Sequence, residues 1–197
     1  MDTQPASQNQ NTDFSRVNVV GTSGSGKSTF STELAAKLGH PRVEMDALFW
    51  EPNWTQPTDE VFFEKLKTAL EQPNWVLDGN YDRTLAIKWA NVTTVVWIDF
   101  SFRRTLFQAI RRAFVRSLHP KELWPNTGNK ESLRKSFMSK DSIILWMLKT
   151  YSKVQTRYEQ RMNEDRYKHI KFIRLKSPKE AQRFLNSLPR RLPPGEK

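Results

Sequence analysis

The run Gly21-Thr22-Ser23-Gly24-Ser25-Gly26-Lys27-Ser28-Thr29 interleaves glycine with hydroxyl side chains around a single lysine. It fills every fixed position of the phosphate-binding pattern G-x-x-x-x-G-K-[ST]. Glycines at these spacings let the backbone curl so that successive N–H groups point inward at phosphate oxygens, a concavity that side chains would obstruct. In such a cradle Lys27 reaches the β- and γ-phosphates, Ser28 holds a magnesium ion, and Thr29 adds little beyond the start of a helix. ATP and Mg²⁺ are the expected ligands.

The flanking elements suit that task. Arg16 to Val20 reads as a short buried strand, and Ser28 to Leu38 as a helix stopped by Gly39. The N-terminus of that helix aims its partial positive charge at the phosphates. Further along, Arg42 to Met45 is a strand candidate ending at Asp46, and Pro57 to Glu60 opens a helix through Phe62, Phe63, Leu66 and Leu70. Trp75 to Asp78 and Thr93 to Asp99 are apolar runs that each end in an aspartate, as strands covered on both faces do. Phe102 to Leu118 has helical spacing, with Leu106, Ile110, Ala113 and Phe114 expected inward, until Pro120, Pro125 and Gly128 break it. Asp141 to Met162 is a second helical stretch with Ile144, Leu148, Tyr151 and Val154 as packing positions. His169 to Leu175 is the expected last strand, and Ser177-Pro178-Lys179-Glu180 opens a closing helix to Leu188 with a capping box and proline at its first position. Alternating strands and helices predict a parallel sheet with ligands at the carboxyl ends of its strands.

At 197 residues the chain suits one α/β domain. The expected organisation is a disordered polar tail over 1–13, a domain over 14–188 and a loose tail over 189–197. There are no cysteines, so disulfides and thiolate metal sites are excluded, and the three histidines lie far apart in sequence. No stretch approaches the apolar length of a membrane span. A soluble, cytoplasmic protein without a membrane partner is expected. The formal net charge of +11 gathers its excess from Arg103 onward. It predicts anionic ligands, whether nucleotide phosphates or nucleic acid.

The phosphate loop, the segment Met45 to Trp54, the turn Asp78-Gly79-Asn80-Tyr81 with Arg83-Thr84, and Ile98-Asp99-Phe100 together resemble the adenylate-kinase-like proteins often labelled topology modulation proteins. The likeness runs from Val17 to Leu188. It implies a three-layer P-loop NTPase fold: a five-stranded parallel sheet with helices on both faces, an acceptor-binding helical region after the second strand, and a helical lid over about 117–140. The family label also implies an influence on DNA topology. Leu77 to Thr84 is similar to the D-G-F-P-R-T segment of nucleoside monophosphate kinases with one residue added. That similarity implies Asp78 beside the magnesium and Arg83 on a transferred or acceptor phosphate. Arg111 or Arg112 resembles the arginine of such kinases that meets the nucleotide from the helix after strand four, and Gln108 stands where relatives carry another arginine. Arg112 is the one carried into the expected site. Arg116, Lys130, Arg134, Lys135 and Lys140 are candidate lid cations.

Asp46 resembles the carboxylate with which P-loop kinases of small alcohols accept the hydroxyl proton. A helix cap and a contact to magnesium-bound water are its alternatives. Asp99 reads either as a second metal-side carboxylate or as a helix cap; Asp78 is preferred for the metal because Gly79 after it permits close backbone approach. Phe49, Trp50, Trp54 and Tyr81 are candidates for an acceptor pocket or for core. The expected activity is ATP-dependent phosphoryl transfer to a nucleotide or small hydroxylated metabolite, with Lys27, Asp46, Arg83 and Arg112 carrying it. The alternatives are a nucleotide-regulated nucleic-acid-binding protein and an adaptor that binds ATP without turning it over. The oligomeric state is left open.

Overall fold

A computed structural model of the chain describes residues 12–118, 122–125, 127–130 and 143–189. Most of the expected lid with its Arg134, Lys135 and Lys140, the side chain of Arg116, residue His119 and nearly all of both expected tails lie outside the described residues. The elements run β1 (Arg16–Gly21), α1 (Lys27–Leu38), β2 (Arg42–Glu44), α2 (Met45–Phe49), α3 (Asp59–Ala69), β3 (Trp75–Asp78), α4 (Leu85–Lys88), β4 (Thr94–Ile98), α5 (Phe102–Leu118), α6 (Ile143–Asn163), β5 (Lys171–Leu175) and α7 (Pro178–Ser187). All five strands are parallel, in the order β2-β3-β1-β4-β5.

The sheet is covered on both faces, which is why its strands read as continuous apolar runs. Alternate residues supply the two layers. Val17, Val19, Val76, Val96 and Ile98 pack with Phe30 and Leu34 of α1 and with Phe184 and Leu185 of α7. Val20, Leu77, Val95 and Trp97 pack on the other side with Phe62 and Leu66 of α3 and with Val154 and Tyr158 of α6. Each fully buried aliphatic side chain of this kind contributes ~2 kcal/mol. The chain builds β2 and β3 to one side of β1 and β4 and β5 to the other. The crevice at the carboxyl end of β1 is therefore the ligand position such a sheet creates.

The caps follow the sequence closely. Thr58 accepts from the Val61 N–H at the start of α3, and Ser177 from the Glu180 N–H at the start of α7. Gly39 ends α1 in a left-handed conformation with φ 66°. Two helices depart from expectation. In α5 Ala113 is inward as expected, but with Thr105 and Ala109 rather than Ile110 and Phe114, which are exposed. In α6 Leu148 is exposed and Met147 and Tyr158 are buried in its place, with Val154 inward as expected. No helix among the described residues is long and apolar enough to cross a membrane.

Lys88 ends α4 fully buried, and its Nζ has no hydrogen-bond partner among the described residues. Burial pulls its pKa down to about 7, although Asp82 acts in the opposite direction, because Arg161 and Arg157 add to the effect of burial. Arg157 and Arg161 themselves hold Asp82 at 2.7 and 3.0 Å. Between about pH 7 and 10.5 the unfolded chain carries a proton on this lysine that the folded chain lacks, so stability rises with pH across that window. Lys88→Met should raise Tm by about 5 °C or more at pH 7. The advantage over wild type should shrink steadily toward about pH 10; calorimetry of both proteins across that range reads it directly.

Candidate active site

The loop 21–26 leaves β1 between β3 and β4 and delivers the chain into α1. A Cβ at Gly21 would stand 2.7 Å from the Ile98 carbonyl oxygen, so the loop departs with no room for a side chain. Gly24 has φ 84° and lies so close to α5 that a Cβ would meet that of Ala109 at 2.8 Å. At Gly26, by contrast, space is ample, and the left-handed φ of 90° is what asks for glycine. Within the loop the Ser25 N–H donates to the buried Thr22 carbonyl at 3.0 Å, and Ser23 is half-buried. The Ser25 hydroxyl is buried with no hydrogen-bond partner among the described residues. Lys27 opens α1 half-buried, followed by exposed Ser28 and Thr29. The first turn of α1 holds no acidic residue, which leaves its N-terminal field free for an anion.

Asn80, two residues past the end of β3, secures the loop. Its Oδ1 accepts from the Gly21 N–H at 3.0 Å and its Nδ2 donates to the Gly21 carbonyl. The sequence pattern places Asn80 in the turn after the third strand but gives it no role. Arg42 was also missed: from β2 it donates to Ser31 Oγ of α1 at 2.9 Å, pairs with Glu44 at 3.0 Å and with Asp78 at 2.6 Å. Burial works against the arginine's charge and the two carboxylates outweigh it, so its pKa is raised. Asp78 is buried, one oxygen held by Arg42 and Oδ1 without a hydrogen-bond partner among the described residues. It lies opposite Val19 in the sheet, two residues before the loop.

Asp46 stands in the first turn of α2, just past the end of β2, and accepts from the Tyr81 hydroxyl at 2.8 Å. Burial, reinforced by the Asp46 charge, holds the Tyr81 phenol far above its ordinary pKa, so Tyr81 donates and stays neutral. α2 has no side-chain N-cap bond, so Asp46 is not a cap. Around this pair Phe49, Phe62 and Tyr81 pack with centroids 4.9 to 5.2 Å apart. Arg83 lies over the Phe49 and Phe62 rings and pairs with Asp59 of α3 at 3.2 Å. The added residue in the Asp78–Thr84 turn thus coincides with an arginine whose partners sit on the wall after β2.

Part of the expected lid docks on the same wall. Asn129 donates to the Glu51 carbonyl and accepts from the Trp54 N–H, both at 2.9 Å. Between those two contacts Asn53 and Trp54 have positive φ, 59° and 61°; asparagine adopts such a backbone readily, whereas for tryptophan it costs ~1–2 kcal/mol. Trp124 packs against Trp50 and Trp54 and donates to Glu44. The tryptophans and phenylalanines therefore form a wall and a packed cluster together.

Arg112 is half-buried on the face of α5 shared by Thr105, Gln108 and Ala109, the face that Gly24 and Gly26 approach; Arg111 is exposed. Asp99 is used differently from either expectation. Arg174 of β5 binds it at 2.6 Å and Gln155 of α6 at 2.9 Å, so it ties β4, β5 and α6 together.

Neither a protein-family model nor a curated protein sequence matches the chain. Among solved structures it is similar to a gluconokinase from Sinorhizobium meliloti, at 16% identity and TM-score 0.47 with 90% of each chain covered. A sugar kinase from Janibacter sp. follows at 18% and 0.44, covering 87% of this chain and 92% of that one. A shikimate kinase from Aquifex aeolicus stands at 19% and 0.45, covering 88% and 95%.

Gly24→Ala should weaken ATP binding about tenfold, through the left-handed φ and the Ala109 contact together. Adding Ala109→Gly should recover part of the loss, because it removes the contact and leaves the φ cost. Titration calorimetry on both variants separates the two effects.

Proposed function

We propose that this chain is an ATP-dependent kinase of a small hydroxylated metabolite, bound on the wall formed by α2, Tyr81 and Trp50. The observation that carries the reading is the Asp46–Tyr81 pair at the end of β2, beside a phosphate-loop crevice. A nucleoside monophosphate brings its own anionic oxygen and asks for free arginines. A neutral hydroxyl needs a proton acceptor instead. Arg42 is engaged by Asp78 and Glu44 and Arg83 by Asp59, whereas the Asp46 carboxylate accepts from a neutral phenol. The geometry thus favours a hydroxyl acceptor over the monophosphate of the adenylate-kinase-like proteins that the chain resembles.

Gly21 to Gly26 and the α1 N-terminus would hold the triphosphate, with Lys27 on the transferred group and Arg112 approaching from α5. The donor set for magnesium fits a hard cation: Ser28 Oγ is exposed at the head of α1, and Asp78 Oδ1 is a buried oxygen with no hydrogen bond. When bound, magnesium would offset charge on the β- and γ-phosphates. Asp46 takes the proton from the acceptor hydroxyl as its oxygen bonds to the γ-phosphorus and the bond to the β-phosphate oxygen breaks, giving ADP and a phosphorylated product. Arg83 helps close the wall over the acceptor.

A mass-spectrometric phosphotransfer screen of hydroxylated metabolites, nucleosides and nucleoside monophosphates, with Lys27→Ala as the blank, tests the reading. A phosphorylated hydroxyl compound absent from the blank is the expected result; a nucleoside diphosphate product would overturn the choice of acceptor. Asp46→Asn should lower kcat about 10³-fold and leave ATP affinity unchanged, and an unaltered rate would remove the base from Asp46.

A further inference from the structure

Helix α5 shows two faces of opposite character. Its inner face is Thr105, Ala109 and Ala113, all fully buried against the nucleotide side. Its outer face carries Phe107, Ile110, Phe114 and Leu118 at helical spacings of three and four, with Phe107 66%, Leu118 56% and Phe114 53% exposed. Val115, 48% exposed, lies beside that stripe, and Leu148 of α6 is exposed as well. Large side chains grouped in this way on a water-facing helix mark an interaction surface. Arg103, Arg104 and Arg111 are exposed among them, and the seventeen residues of α5 contain no acidic side chain.

Charge decides the partner. A second copy packed face to face would set these arginines against their own counterparts with no carboxylate on the helix to meet them. Nucleic acid would satisfy the arginines and could stack on the phenylalanines, yet Ile110, Val115 and Leu118 offer it nothing. An anionic bilayer surface satisfies both halves: guanidinium groups reach lipid phosphates while aliphatic and phenyl groups enter the boundary with the acyl chains. We infer that the outer face of α5 is a docking surface for anionic lipid membrane, on which the helix lies flat without crossing. This departs from the expectation of no membrane partner, which rested on the lack of a spanning segment. Because the phosphate loop approaches the opposite face of α5, docking leaves the nucleotide crevice uncovered.

The test is co-sedimentation of the full chain with vesicles of phosphatidylcholine alone and with about 30% phosphatidylglycerol added. Binding to the anionic vesicles should be about tenfold stronger or more, and should fall in high salt. Phe107→Gln combined with Phe114→Gln should weaken it about tenfold with Tm unchanged. Arg104→Ser combined with Arg111→Ser, a second variant with an independent readout, should abolish the preference for anionic over neutral vesicles. No binding to anionic vesicles, or equal binding by the phenylalanine variant, overturns the inference. So does a dimer in sedimentation velocity that the phenylalanine substitutions dissociate, which would assign the face to a second copy. Retention on duplex DNA that excess phosphatidylglycerol vesicles fail to displace would also overturn it, in favour of nucleic acid.

Discussion

The site depends on how β1 ends. Its neighbour β3 stops at Asp78, opposite Val19, so Val20 and Gly21 outlast their partner strand on that side. Backbone groups left unpaired there would cost as much as lost hydrogen bonds. The Asn80 amide stands in for the missing strand, accepting from the Gly21 N–H and donating to its carbonyl. On the other side Gly21 is pressed against the Ile98 carbonyl, where no Cβ fits. Held from both sides at one residue, the chain can leave the sheet as a loop whose N–H groups, apart from that of Ser25, which donates to the Thr22 carbonyl, have no partner among the described residues. Those groups, with the uncapped N-terminus of α1, are what an anion would find.

How far the sequence announced this varies with the range of the interaction. Local signals were sound: the glycine and lysine spacing of the loop, the valine-rich strands, and the Thr58 and Ser177 caps all appear where their residues predict them. Periodicity groups the residues of α5 into stripes but does not say which stripe faces inward. Close approach of Gly24 decides it, since only a small residue such as Ala109 allows the loop to pass at that distance, and so the alanines turn inward and the phenylalanines out. Asn80 and Arg42 gave no local sign because each acts on a strand that sequence places far away: Gly21 for one, Asp78 for the other.

Three aspartates illustrate the same point and bear on chemistry. Asp46, Asp78 and Asp99 each follow or close a strand at the same end of one parallel sheet, and sequence separates them only by resemblance and by the glycine after Asp78. What distinguishes them is the group that each meets. Asp99 is neutralised by Arg174 from 75 residues away, with Gln155 on its second oxygen, and serves to pin α6 to the sheet. Asp78 shares its charge with Arg42 on one oxygen and keeps the other unbonded and buried, as a group that positions water or metal would. Asp46 meets a hydroxyl that burial prevents from ionising. A bond from a neutral donor orients a carboxylate and leaves its charge in place, whereas an arginine would stabilise the charge so far that the oxygen became a poor base. Of the three, the carboxylate fixed by a phenol is therefore the one suited to the proposed base, and its position at the aromatic wall would set the acceptor hydroxyl of the proposed reaction on that side of the crevice.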